Sequence, residues 1–140
     1  MPEKLKTLIV EDSKLAQAIY DELLIDRLFE KRFADDGQAA LEIYHDWKPD
    51  IILLDIMLPV LSGYLVLKTI RVKSKDNSTA IVMLTSLSKK DDVMDCMRLG
   101  IQGYIVKAPD YDKFGAKILQ YYSKVNPKRA EELLGELDED

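Results

Sequence analysis

One stretch constrains the fold of this chain more than any other: Asp50-Ile51-Ile52-Leu53-Leu54-Asp55-Ile56-Met57-Leu58-Pro59. Four large apolar residues run straight into an aspartate. A short apolar run bounded by Asp and Pro reads as a strand buried on both faces, the kind found in parallel sheets covered by helices. Pro59 and Gly63 then force a loop. Asp55 therefore stands at the carboxyl end of a central strand, the edge where open α/β sheets bind ligands. Taken alone, an Asp at a strand end is a turn or cap residue. Its meaning depends on what the other strands deliver beside it.

Along the chain, Lys4 to Val10 reads as a first strand ending in two adjacent acids, Glu11 and Asp12. Ser13 is placed to cap a helix. In that helix Leu15, Ala16, Ile19, Tyr20, Leu23 and Leu24 recur three and four apart, as one buried face requires. A short, weak strand around Arg32-Phe33-Ala34 is polar enough for a sheet edge. Asp35-Asp36-Gly37 turns into a second helix bearing Ala39, Ala40, Leu41, Ile43, Tyr44 and Trp47, stopped by Lys48-Pro49. Leu65, Val66, Leu67 and Ile70 mark a third helix after Gly63. Ala80 to Leu84 is a buried strand that delivers Thr85-Ser86. A fourth helix runs from about Lys89 to Leu99 and is closed by Gly100. Gly103-Tyr104-Ile105-Val106 is a fifth strand ending in Lys107, and Phe114, Ile118, Leu119 and Tyr122 mark a fifth helix. Strand and helix alternate five times through connections too long for hairpins, so the sheet is expected to be parallel with helices on both faces. Residues 1–125 form one domain on this reading. Residues 126–140 form a short C-terminal helical or frayed acidic tail, with Ala130, Leu133, Leu134 and Leu137 as its apolar side.

Composition narrows the function classes. At 140 residues, 47% hydrophobic and 32% charged, the chain fits one soluble globular domain. A net charge of −5 argues against broad binding to nucleic acid or anionic membrane, so neither is expected as a direct partner. The single cysteine, Cys96, excludes an internal disulfide and a cysteine-rich metal site, and reads as a small core residue. No secretory signal precedes Glu11-Asp12, and no run approaches the ~20 apolar residues of a membrane span. A reducing, cytoplasmic setting is expected.

The carboxyl ends of the apolar strands deliver Glu11 and Asp12, then Asp55, then Thr85, then Lys107. Two carboxylates ~4 Å apart repel by about 4 kcal/mol at an effective dielectric of 20. Three ionised together need a compensating charge or a raised pKa. A hard divalent cation with oxygen ligands is one answer, and Mg2+ suits few carboxylates plus a phosphoryl oxygen. Lys107 adds a point positive charge and Thr85 a hydroxyl donor. An aspartate in such a setting is a workable nucleophile toward phosphorus.

From about Lys4 to Tyr122 the chain resembles the receiver domains of two-component response regulators, with chemotaxis-regulator-like proportions. That resemblance implies a flavodoxin-like, doubly wound (βα)5 sandwich with strand order 2-1-3-4-5. It implies Asp55 as phosphoacceptor, and Glu11, Asp12, Asp55 and the backbone carbonyl of Met57 around Mg2+. Thr85 and Lys107 would assist the chemistry, and Thr85 and Tyr104 would act as the switch pair. The implied partners are a sensor histidine kinase or histidine phosphotransfer protein and a downstream protein target, with the receiver a monomer or weak dimer. Phosphorylation would reshape the surface of the fourth helix, fifth strand and fifth helix.

Departures from the family pattern are informative. Many receivers place proline directly after the lysine, whereas here the order is Lys107-Ala108-Pro109, which moves any cis bond in question. Gln102-Gly103 stand where the winged-helix transcription factors carry an acidic pair, so their salt-bridged dimer is not expected. Met57 and Leu87 flank the site where polar side chains could position water, which implies slow loss of phosphate. His45 reads as a surface or boundary residue. Met94 and Met97 read as packing, with a soft partner-binding face as the alternative. Two other classes are weighed. An aspartyl-phosphate phosphatase or mutase would want a second Asp at position 57, which is Met57. A flavin or nucleotide binder would want a glycine-rich phosphate loop, and the six glycines form none. The continuation to Asp140 without a Gly, Ser or Pro linker favours a stand-alone receiver over an excised piece.

Overall fold

The computed structural model describes residues 2–85, 90–107 and 112–138. The elements are β1 (Leu5–Val10), α1 (Lys14–Leu23), β2 (Phe29–Ala34), α2 (Gly37–Trp47), β3 (Ile51–Asp55) and α3 (Gly63–Lys68). A π-helical turn, Thr69–Lys73, extends α3. Then follow β4 (Ala80–Thr85), α4 (Lys90–Leu99), β5 (Gly103–Val106), α5 (Phe114–Tyr122) and α6 (Pro127–Asp138). The five strands are all parallel, in the order β2-β1-β3-β4-β5. This is the flavodoxin-like doubly wound fold. No helix among the described residues is long and apolar enough to cross a membrane.

Two cores follow from the period-two alternation of strand side chains. Leu5, Ile9, Leu53, Val82, Leu84 and Ile105 face one way, against Tyr20 of α1, Phe114, Ile118 and Leu119 of α5, and Ala130 and Leu133 of α6. Leu8, Val10, Ile52, Leu54, Ile81 and Met83 face the other way, against Ala40, Tyr44 and Trp47 of α2, Val66 and Leu67 of α3, and Val93 and Cys96 of α4. Cys96 is buried, and burial with the nearby Asp92 and Asp95 pushes its thiol up to about 11. Ser13, Asp36 and Ser62 cap α1, α2 and α3, each accepting from the amide three residues on.

Several expectations need correction. Leu15 and Ile19 do not lie on the buried face of α1. They are 74% and 39% exposed, and Gln17 is buried in their stead. Its side-chain amide donates to the Glu11 carbonyl at 2.6 Å and to Asp35 Oδ1 at 2.7 Å, so hydrogen bonding overrides the apolar spacing. The second strand begins earlier, at Phe29, which is 1% exposed. Its polar Lys31 is accommodated by ion pairs with Asp21 at 2.9 Å and Asp26 at 2.8 Å. Met94 and Met97 are exposed. Residues 127–138 take the helical form, one of the two expected of this segment: Ala130 and Leu133 are fully buried, Arg129 pairs with Asp50 at 3.0 Å, and Arg27 pairs with Glu136 at 3.3 Å.

At the amino edge of the sheet, Asp76 gathers the Tyr44 hydroxyl at 2.5 Å, the Thr79 hydroxyl at 2.6 Å and the amides of Ser78 and Thr79 at 2.8 and 3.0 Å. Burial alone would raise its pKa, but these donors outweigh it and hold the carboxyl well below the usual range. A depressed carboxylate contributes stability that is present above its unfolded pKa and lost as pH falls through its folded one. Asp76→Asn should therefore cost about 1.5–3 kcal/mol at neutral pH. The gap to wild type should close as pH drops below about 4, read by denaturant melts across pH.

Candidate functional site

The register of the sheet brings the expected residues to one edge. Val10 pairs with Leu54, Asp55 with Leu84, and Thr85 with Val106, so β1, β3, β4 and β5 end at one level. Backbone bonds carry that level beyond the strands: the Glu11 amide donates to Ala34 at 3.1 Å, and the Lys107 amide to Thr85 at 2.7 Å. The loop after Asp55 is pressed onto the site. The Gly63 amide donates to the Ile56 carbonyl at 3.0 Å, and a Cβ at Gly63 would lie 2.0 Å from the Asp55 carbonyl oxygen. Only glycine permits that approach. Within the loop, Val60 has φ 68° and the Leu61 amide reaches back to Pro59 at 2.7 Å. A β-branched residue in that region is strained, and such strain collects at functional loops.

Glu11 and Asp55 are buried, at 2% and 3% exposed, while Asp12 is open to solvent. Carboxylate oxygens of Glu11, Asp12 and Asp55 lie within 4.8 Å of one another. The Lys107 ammonium sits between two of them, 2.7 Å from Asp55 Oδ2 and 3.0 Å from Glu11 Oε2. The Met57 amide donates to Asp55 Oδ1 at 3.0 Å, and the Met57 side chain is 60% exposed. Burial pushes the Glu11 carboxyl above its ordinary value, Lys107 opposes the rise, and the Asp55 charge adds to it. Burial would lower the Lys107 ammonium, but the Asp55 and Glu11 carboxylates outweigh that and hold it above its ordinary value.

Thr85 is buried at the end of β4, and strand alternation sets it on the Met83 side of the sheet. Tyr104, the Met83 partner on β5, lies on that same side and is 46% exposed. Leu87 and the Ala108-Pro109 step lie outside the described residues. Sequence reasoning missed Gln17, which braces the Glu11 backbone from α1. Its signal was a polar residue three before the buried Tyr20.

Glu11, Asp12 and Asp55 are the residues that could hold a metal ion. Their donors are all oxygen, and Glu11 Oε2 is a buried atom with no hydrogen bond, facing the Lys107 charge as an ion pair. An oxygen-only set of three carboxylates, two of them buried and sharing one ammonium, suits a hard divalent cation. Adding Mg2+ should raise the thermal midpoint of the wild-type protein. Asp12→Asn should lose most of that gain, while its midpoint without the ion stays equal or rises as carboxylate repulsion is relieved.

Comparison with known proteins agrees with this geometry. The response regulator receiver domain profile matches residues 7–119. A probable transcriptional regulator ycf27 of Guillardia theta is 35% identical over 123 residues, 88% of this chain and 47% of that protein. The chemotaxis protein CheY of Pseudomonas aeruginosa is 29% identical over 123 residues, 87% of this chain and 99% of that one. The chain thus spans about half the length of the ycf27 relative and nearly all of the chemotaxis protein. The chemotaxis response regulator CheY4 of Vibrio cholerae superposes with a TM-score of 0.75 at 29% identity, covering 86% of this chain and 99% of that structure. Because transcriptional regulators stand among these relatives, the expectation of no nucleic-acid partner is not carried forward. The profile spans the acidic edge and the strands that build it, and the chain belongs to the response regulator receiver domain family.

Proposed function

We propose that Asp55 is a phosphoacceptor, charged by a phosphohistidine on a sensor kinase or histidine phosphotransfer protein. The single observation that carries this reading is the Lys107 ammonium bridging Asp55 and Glu11 at the carboxyl edge of the sheet. An Asp55 carboxylate oxygen attacks phosphorus, the phosphorus–nitrogen bond to the donor imidazole breaks, and the imidazole leaves with the electron pair. The product is an acyl phosphate on Asp55. Glu11, Asp12, Asp55 and the Met57 carbonyl would hold Mg2+, which when bound neutralises the phosphoryl oxygens. Lys107, already 2.7 Å from Asp55, has only to follow its oxygen to meet the new phosphoryl group. Thr85, at the end of the neighbouring strand, supplies a hydroxyl donor to a second phosphoryl oxygen.

The receiver is a signalling module rather than a turnover enzyme, working in the cytoplasm. Its response is a population shift. The phosphoryl group biases the protein only because one conformation binds it better. Thr85 and Tyr104 share a face of the sheet, so a move of Thr85 toward the phosphoryl group frees space into which the half-exposed Tyr104 ring turns. The surface of α4, β5 and α5 then differs between the two states, and a protein partner reads it.

With Mg2+ and labelled acetyl phosphate, the wild-type chain should retain label near one equivalent, and Asp55→Asn should retain none. Label retained in Asp55→Asn would contradict the assignment. Steady release of phosphate from a substrate would point to a phosphatase.

A further inference from the structure

At the other edge of the sheet, Arg71 is 6% exposed, an unusual burial for a guanidinium. It lies in the π-helical turn after α3, where the Ser74 amide reaches five residues back to the Thr69 carbonyl at 2.8 Å. Such single wide turns recur at functional positions. The guanidinium reaches three places at once. Nε donates to the Gly100 carbonyl at 2.9 Å, Nη1 to the Asp76 carbonyl at 2.9 Å, and Nη2 to Gln102 Oε1 at 3.1 Å. Gln102 Oε1 also accepts the Ile81 amide of β4 at 2.7 Å, and the Gln102 amide donates to the Ile81 carbonyl at 2.9 Å. From α5's side, Lys124 Nζ donates to the Gln102 carbonyl at 2.9 Å.

Gly100 ends α4 with φ +103°, its amide shared between the Cys96 and Met97 carbonyls at 3.1 Å each. A Cβ there would meet only Arg71 Nε, at 3.9 Å, so conformation rather than space demands glycine. The carboxyl end of α4 and the entry to β5 are thus tied to α3 and β4 through one cation. The body of α4 is held more thinly. Val93 and Cys96 are its buried side chains among the described residues, while Asp91, Met94, Asp95 and Met97 are exposed. Few buried apolar contacts mark the segments that move at low cost.

We propose that Arg71 is a positioning residue for the signalling switch: it pins Gly100 and Gln102, so that α4 answers phosphorylation by pivoting about Gly100. The amino half of α4 moves, and its carboxyl end and the start of β5 stay fixed. This inference rests on the phosphoacceptor reading of Asp55. It assigns to Gln102 the part of a hinge anchor, which an acidic residue there would play with a full charge.

Hydrogen exchange read by mass spectrometry tests it, comparing the full chain with and without Mg2+ and beryllofluoride. In the wild type, the change in exchange should span the amino half of α4 and be lost by Gly100–Gln102. In Arg71→Lys, which keeps the charge but not the three-way geometry, the change should extend through Gly100–Gln102. Gln102→Leu, which leaves Arg71 in place, should do the same. A wild-type change as large at Gly100–Gln102 as in the amino half would overturn the pivot, as would variants that keep the wild-type boundary. A chain that shows no change anywhere, or whose change survives in Asp55→Asn, sinks the Asp55 reading beneath it and the pivot with it.

Discussion

Three carboxylates crowd into less than 5 Å of space, two of them shielded from water, with one ammonium set between the buried pair. That charge arrangement is what the rest of the molecule is built to hold. Left ionised and unneutralised, the acids would repel one another and their loops would splay. Lys107 offsets part of the repulsion. It is a compact charge on a flexible stem, so one ammonium reaches both Glu11 and Asp55. Burial still holds the Glu11 carboxyl above its ordinary value, so Lys107 offsets its cost only in part. A cluster left net negative in this way favours further positive charge, of the kind a hard divalent cation would bring.

The scaffold holds that arrangement through geometry rather than through many direct bonds. Parallel pairing in register ends four strands at one level, and the alternation of side chains fixes which layer each last residue faces. Gly63 lets the loop after Asp55 close against the backbone, and Gln17 braces the Glu11 carbonyl from α1. At the far edge the Asp76 and Arg71 networks fix the turns that precede β4 and β5. The two edges have opposite characters. One holds charge that can be rearranged, and the other holds polar groups that are already satisfied.

Much of this was legible in the sequence because burial writes simple patterns. The Ile51–Leu54 run could only be a strand covered on both faces, and the residues at the strand ends follow from where each apolar run stops. Two of the misreadings share one cause, that a polar residue can occupy a core position when a specific partner waits for it. Gln17 displaced Leu15 and Ile19 from the buried face of α1 because the Glu11 carbonyl and Asp35 needed its amide. Lys31 hid the first half of β2 because its partners, Asp21 and Asp26, lie in the preceding helix and the loop after it. Arg71 drew no notice in the sequence, because nothing local marks the Asp76 and Gly100 carbonyls and the Gln102 side chain as its acceptors. The C-terminal helix was legible in the spacing of Ala130, Leu133, Leu134 and Leu137, whereas the pairing of Arg129 with the distant Asp50 was not. Periodicity reports apolar contacts well, whereas long-range hydrogen bonds leave no local trace.

Lys107 and the acidic trio meet as one coupled cluster of charges around Asp55. A crystal structure of the chain with Mg2+ and beryllofluoride tests it most directly. The expected result is an ion on oxygens of Asp12 and Asp55, a beryllofluoride group on Asp55, and the Lys107 ammonium shifted onto a fluorine. Density showing Asp55 unmodified, no ion within reach of Asp12, and Lys107 turned out to solvent would contradict it.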